Sequence, residues 1–242
     1  MREFDADLAF LGCCTDTELE PLLDALLDTN HKGRISSELD TMPRFRRNYP
    51  RHSMYADLIA DELQRYGGNT IANFFRGGGI SYWGMLRDVC DLLKVDYGSS
   101  LDVADMEEKL LSKVIGMAFA EMSQSERYEI LSKVSKVGDS AGGITSATAI
   151  ALFRAGGFES YQLAMVVVNK LWMVFFKKGL SLAANSTICR LLAISTGPVG
   201  IGISAVWTTI NLGSPTMRVT VPATIYISLL RFTKKEQVRL VA

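Results

Sequence analysis

"LLAISTGPVGIGISAVWTTINLGSPTM", Leu191 to Met217, runs twenty-seven residues without a charge. Whether it crosses a membrane or packs inside a helical core decides the fold. A spanning helix needs about 20 predominantly apolar residues, whereas about 10–14 indicate core or interfacial packing. The stretch has the length, but Ser, Thr, Asn, several Gly and Pro198 dilute it. Gly197–Pro198 predicts the end of one helix and the start of another, leaving "PVGIGISAVWTTINL" as a shorter helix. Gly200 and Ser204, four apart, permit close helix contact in either solvent. Pro215 and Pro222 break the remainder, and Pro222 is expected to open a last helix, "PATIYISLLRF". A soluble all-helical core is the first reading, and a membrane-associated or inserting hairpin the second.

Just upstream, "ESYQLAMVVVNKLWMVFFKKG" reads as a long helix that is apolar on nearly all sides, the pattern of a buried central helix or a membrane segment. Glu159 near its start and Lys177 and Lys178 near its end suit the helix dipole, and Gly179 is placed as its stop. Gly142–Gly143 and Gly156–Gly157 mark turns around "ITSATAIALFRA".

The 242-residue chain has enough length for a sizeable core. At 48% hydrophobic and 21% charged it is too apolar for a disordered protein. Its formal net charge of zero hides a division. Residues 1–139 carry 16 Lys/Arg and 24 Asp/Glu, while residues 140–242 carry 10 and 2. The halves at −8 and +8 imply either intramolecular pairing or a basic face for an anionic partner. Three stretches are expected: an acidic helical segment with a basic loop over 1–50, an amphipathic helical region over 51–139, and an apolar basic helical region over 140–242 packed with the rest.

The acidic half reads as short amphipathic helices. Thr15–Glu18 and Thr17–Glu20 both have capping-box spacing, and Pro21, tolerated best in a first turn, favours the start at Thr17. Leu19, Leu22, Leu23, Leu26 and Leu27 then form one apolar face. In "MYADLIADELQRY", Tyr55, Leu58, Ile59, Leu63 and Tyr66 share a side. "SYWGMLRDVCDLLKV" and "VADMEEKLLSKVIGMAFAEM" supply two more helices, and Ser123 with Glu126 caps another. The connection "MPRFRRNYPRH" places Arg44, Arg46, Arg47 and Arg51 around Phe45 and Tyr49, either a solvated linker or an anion-binding loop. "GGNTIANFFRGGGISYWG" lacks the Lys and the preceding strand of a phosphate loop, so its glycines are read as helix stops and turns and Asn69 as a cap.

No catalytic, cofactor or metal constellation stands out. His31 and His52 sit in polar segments without an i+4 ligand partner, and Cys13, Cys14, Cys90 and Cys189 show neither CxxC spacing nor a disulfide framework. Asp102, Asp105, Glu107 and Glu108 are explained by a helix start. The N-terminus has no apolar h-region, so the default compartment is the cytoplasm, peripheral to the inner membrane under the second reading.

"DLAFLGCCTDTELEPLLDALL", "ADLIADELQRYGGNTIANFFRGGGISYWGMLRDVCDLLKV" and "TGPVGIGISAVWTTINLGSPTMRVTVPATIYISLLR" resemble, in order, blocks of the YaaW family of bacterial proteins. That family is grouped with the ubiquinol–cytochrome c chaperones, helical proteins that hold an apolar membrane subunit during assembly. The resemblance implies an all-α, multi-helix globular bundle with an apolar, Gly-punctuated C-terminal half, and it carries over no catalytic residue.

The function expected first is a non-enzymatic, chaperone-like binding or assembly factor for a protein client. Tyr66, Gly68, Asn69, Phe74, Arg76 and Trp83 would form an exposed recognition corner. The alternative is a membrane-associated effector, with Arg44, Arg46, Arg47, Lys177, Lys178, Arg231, Lys234 and Lys235 as anionic-surface contacts. No cofactor and no nucleic-acid partner are expected.

Overall fold

A computed structural model describes residues 5–27, 38–67, 79–99, 102–135, 143–180 and 216–241. Every regular element among these residues is helical. The stretch 191–215, including Val199, Ile203 and Val206, lies outside them. The α-helices are α1 (Asp16–Leu27), α2 (Pro43–Asn48), α3 (Ala56–Gly67), α4 (Tyr82–Leu92), α5 (Val103–Glu121), α6 (Gln124–Val134), α7 (Ser146–Ala155), α8 (Gly157–Phe176) and α9 (Met217–Val241). The described residues fall into two compact units. The first runs to Lys94 and takes in residues up to Tyr226 of α9; the second starts at Val95 and takes in α9 from Ile227. Neither boundary follows the charge division near residue 140.

In the first unit, a 3-10 helix (Ala6–Cys13) leads into α1. Asp5 anchors it, since Oδ1 accepts the Asp7 N–H at 3.0 Å while Oδ2 accepts Gln64 Nε2 and the Tyr82 N–H, each at 2.7 Å. One carboxylate thus ties the chain start to α3 and α4. Helix α1 is capped at Thr15, two residues before the Thr17 start that Pro21 favoured. Thr15 and Glu18 exchange the capping bonds, with Thr15 N to Glu18 Oε2 at 2.7 Å and Glu18 N to Thr15 Oγ1 at 3.3 Å. Pro21 therefore sits inside the helix, buried with Leu19, Leu22, Leu23, Ala25 and Leu26. Helix α3 buries Ile59, Leu63 and Tyr66 as its periodicity predicts, together with Ala56 and Ala60, whereas Leu58 of the predicted side is only half-buried. Tyr55 is buried from a separate 3-10 turn, His52–Tyr55. Helix α9 starts at Met217, five residues before Pro222, with the Val219 and Thr220 N–H groups both on the Thr216 carbonyl. The Tyr226 hydroxyl donates to the Glu18 carbonyl of α1 at 2.9 Å.

In the second unit, α5 packs on α7 and α8, and α8 on α6 and α7. Asp102 caps α5, and the Ser123–Glu126 capping box opens α6 with both reciprocal bonds. Helix α8 is buried at Ser160 and from Gln162 to Trp172, so the reading of a buried central helix holds for it. It ends at Phe176, earlier than Gly179 implied. Lys177 takes the left-handed conformation (φ 55°), and the Leu180 N–H turns back onto Asn169 Oδ1 at 2.8 Å. Among the described residues no helix is long and apolar enough to cross a membrane.

Candidate binding surface

Between Pro43 and Tyr55 the sequence read as an arginine-rich loop forms a built corner instead. Pro43 occupies the first helical position of α2, where its fixed φ suits the helix and its missing N–H costs nothing. Only Phe45 of this helix is buried, with its ring 5.0 Å from that of Tyr55 and 5.6 Å from that of Tyr49. The Arg44 guanidinium donates to Asp57 Oδ2 at 2.6 Å and to the Met54 carbonyl at 2.7 Å, clamping α2 to the start of α3. Arg46 Nε donates to the Asp40 carbonyl at 2.8 Å. Asn48 Nδ2 returns to the Arg44 carbonyl, and the Ser53 N–H donates to Asp16 Oδ1 of α1 at 2.7 Å.

Beneath this corner lies His52, 6% exposed and therefore not in the polar setting its neighbours in sequence suggested. Its Nδ1 is 2.6 Å from the Tyr55 hydroxyl. Burial pulls the imidazole below its usual 6.5, against the opposing pull of the Asp16, Glu20 and Asp24 carboxylates. In the neutral tautomer protonated at Nε2, the ring accepts the Tyr55 O–H at Nδ1. Burial pushes the Tyr55 phenol up to about 12, so it stays a donor throughout the physiological range. Hydrogen bonding from Ser53 lowers Asp16. This arrangement is an anchor: its polar atoms serve each other rather than an incoming molecule.

What the anchor presents is a crest. Arg47, Pro50 and Arg51 are exposed, Tyr49 is 59% exposed and Met54 50%. Tyrosine, methionine and arginine are the side chains over-represented in protein contact surfaces, and large, stiff groups dominate their energetics. The crest is held from below by Phe45, Arg44 and Asp16, so little ordering remains to be done on contact. Among the described residues no group of three or more His, Cys, Asp or Glu could hold a metal ion.

A UPF0174 protein of Helicobacter pylori is 36% identical over 241 residues, covering 97% of this chain and 94% of that protein. The chain belongs to the UPF0174 family. A second UPF0174 protein of Helicobacter pylori is 34% identical over 203 residues, covering 81% of this chain and 97% of its own. UPF0174 protein YaaW of Escherichia coli is 29% identical over 248 residues, 94% of each chain. The resemblance to YaaW read from the sequence blocks is therefore one of family membership. No protein-family model matches the chain. No solved structure matches it.

The expected site residues scatter. Gly68, Asn69, Phe74 and Arg76 lie outside the described residues. Tyr66 is 5% exposed and belongs to the core, not to an exposed corner. It lies on the buried side of α3 with Ile59 and Leu63, and at the neighbouring Gly67 a Cβ would come within 2.7 Å of Ile80 Cγ2 and Met85 Cγ. Trp83 is half-buried, with the Arg87 guanidinium 5.2 Å above its ring. Of the basic residues, Arg44 and Arg46 are engaged at the corner as described. Arg231 Nε lies 2.7 Å from Glu107 Oε2, and Lys235 Nζ 3.9 Å from Glu108 Oε2. Lys177 and Lys178 are exposed after α8, and Lys234 is half-buried on α9. Of the exposed side chains here, the sequence placed Arg47, Arg51 and Tyr49 in a linker or anion-binding loop and did not single out Met54. Their signal was present in "NYPRH", but exposure is a tertiary property.

Proposed function

We propose that this UPF0174 protein is a non-enzymatic helical binding factor, chaperone-like in the sense of holding a polypeptide client, and that its contact surface is the crest at Arg47, Tyr49, Arg51 and Met54. The crest carries the reading: stiff, large, amphipathic side chains stand exposed on a scaffold whose own polar groups are already bonded. The helical architecture fits a role in which one body presents a preformed surface to another. The alternative, an effector acting on membranes through the basic C-terminal half, draws less support. Arg231 and Lys235 are paired with Glu107 and Glu108, so part of that positive charge is used within the chain.

The test is purification of the tagged full chain after in-cell crosslinking, wild type beside the Tyr49→Ser/Arg47→Gln variant. A discrete polypeptide recovered with the wild type and depleted at least tenfold with the variant supports the reading. Recovery of none, or equal recovery by both, contradicts it.

A further inference from the structure

The 3-10 turn His52–Tyr55 holds a buried pair whose shared hydrogen has one good place. Tyr55 is fully buried, and the His52 ring is its hydroxyl's one hydrogen-bond partner among the described residues, 2.6 Å away at Nδ1. The O–H therefore points at Nδ1, since turned elsewhere it would be a buried donor without an acceptor. That geometry requires a neutral ring with its proton on Nε2. A second proton on the ring makes Nδ1 a donor, reverses the bond and strands the tyrosine hydrogen in the core.

The surroundings pull the other way. Asp16, Glu20 and Asp24 of α1 act on the imidazole and favour its charge, while burial opposes them more strongly. The Ser53 N–H and hydroxyl hold Asp16 below the usual carboxylate range, so it stays ionised in mild acid. The other elements packed on this turn are α2, α3 and the 3-10 helix Ala6–Cys13. Arg44 of α2 and Asp57 of α3 are bonded to each other beside it, Arg51 acts on Asp16, and the 3-10 helix brings Asp7 and Cys13 as its titratable groups. A ring swung out of the core keeps the attraction of the carboxylates and sheds the cost of burial. It holds a proton more tightly than the buried ring does, and a ligand that prefers one of two states draws the molecule into it.

We propose that the His52–Tyr55 pair is a proton-operated latch, in which protonation of His52 frees this turn from the core and opens the corner at residues 43–55 while the helices around it stay folded. The opening is local because the remaining ties of the turn are few and near the surface. They are the Ser53 N–H on Asp16 Oδ1 at 2.7 Å, the Met54 N–H on the Arg51 carbonyl at 3.2 Å and Arg44 on the Met54 carbonyl at 2.7 Å. Phe45, the buried side chain of α2, packs on the Tyr55 ring and follows it. Helices α3 and α4 are tied through Asp5 instead, independently of the pair. The latch decides when the crest is presented, and only in that consequence does it rest on the reading of the crest as a contact surface.

The experiment is hydrogen exchange of the full chain at pH 7.5 and 5.5, with exposure times scaled for the intrinsic pH dependence of amide exchange, beside an NMR titration of the imidazole signals. The chain has two histidines, so His31→Gln assigns them. Far-UV circular dichroism confirms that each variant is folded. The proposal expects protection of the Ser53 and Met54 amides to fall roughly tenfold between the two pH values, with protection in α3 and α4 unchanged. His52→Gln, whose amide oxygen accepts the tyrosine O–H at either pH, should keep the turn protected at both. In Tyr55→Phe nothing donates to Nδ1, so the neutral ring is less favoured and His52 should titrate at higher pH than in the wild type. Protection that is unchanged at pH 5.5, a fall that persists in His52→Gln, or a fall shared equally by α3 and α4 overturns the latch. So does a His52 titration that Tyr55→Phe leaves in place. Crosslinking at pH 7.5, where the latch is closed, reads the contact function separately, so the failure of either leaves the other standing.

Discussion

At the scale of single residues, His52 gives the corner a defined response to pH. Burial holds its folded pKa below the unfolded 6.5. Below pH 6.5 the unfolded chain therefore takes up the proton first, and stability falls as pH drops toward the folded value. Above 6.5 both states are neutral and the contribution is constant. The groups facing the ring are Asp16, Glu20 and Asp24 of α1 and the rings of Tyr49 and Tyr55. Measured as urea midpoints at pH 7.5 and 5.5, the wild type should lose stability on acidification. His52→Gln should lose less over the same interval, because the group whose protonation the folded state resists is gone. An identical pH slope in the two proteins would remove His52 from the account.

At the scale of elements, the joint between α7 and α8 depends on two glycines at positive φ. Gly156 ends α7 and begins α8 at φ 73° and ψ −175°, a region that side chains with a Cβ avoid. Gly157 follows at φ 84°, and its N–H donates to Glu236 Oε2 at 2.8 Å. Gly156→Ala should cost about 1–3 kcal/mol of unfolding free energy by chemical denaturation. A cost within error of zero would mean that the joint is not held in this conformation. The sequence showed that joint through its paired glycines, and it showed α3, α4, α5 and α6 through leucine spacing and the Ser123–Glu126 box. It hid others for physical reasons. Helix α2 is six residues long, too short for an apolar period, and its arginines read as solvated until Asp57 and the Asp40 carbonyl appear beside them. The box that opens α7 uses Thr145 with Thr148, so a search for Glu or Gln three residues on passes over it. Helix α1 accepts Pro21 beyond its first turn because the cap bonds at Thr15 fix the start first. The crest was the least legible feature, since Tyr49 and Tyr66 look alike in sequence and differ only in what packs over them.

At the scale of the whole molecule, the division of charge along the chain finds a use inside the second unit. Glu107 of the acidic half, 3% exposed, meets Arg231 of the basic half at 2.7 Å. The carboxylates of Glu126 and Glu129 act on Lys170, which burial draws below its usual value. Glu107 is buried but Arg231 keeps part of its side chain in water, so Glu107→Ala should destabilise by about 1–2 kcal/mol, less than for a fully buried pair. The exposed pair behaves differently, and Glu108→Ala should cost less than about 0.5 kcal/mol. Equal losses would mean that burial does not govern these pairs. Charge spent in this way holds helices together, while the crest of the first unit is the surface to which the proposed function assigns an outside partner. The most direct test is a photo-crosslinking side chain placed at Tyr49 or, as control, at the exposed Tyr128 of α6 in the living cell. The account predicts adducts to a partner at Tyr49 well above those at Tyr128; adducts at Tyr128 alone, or at neither position, would contradict it.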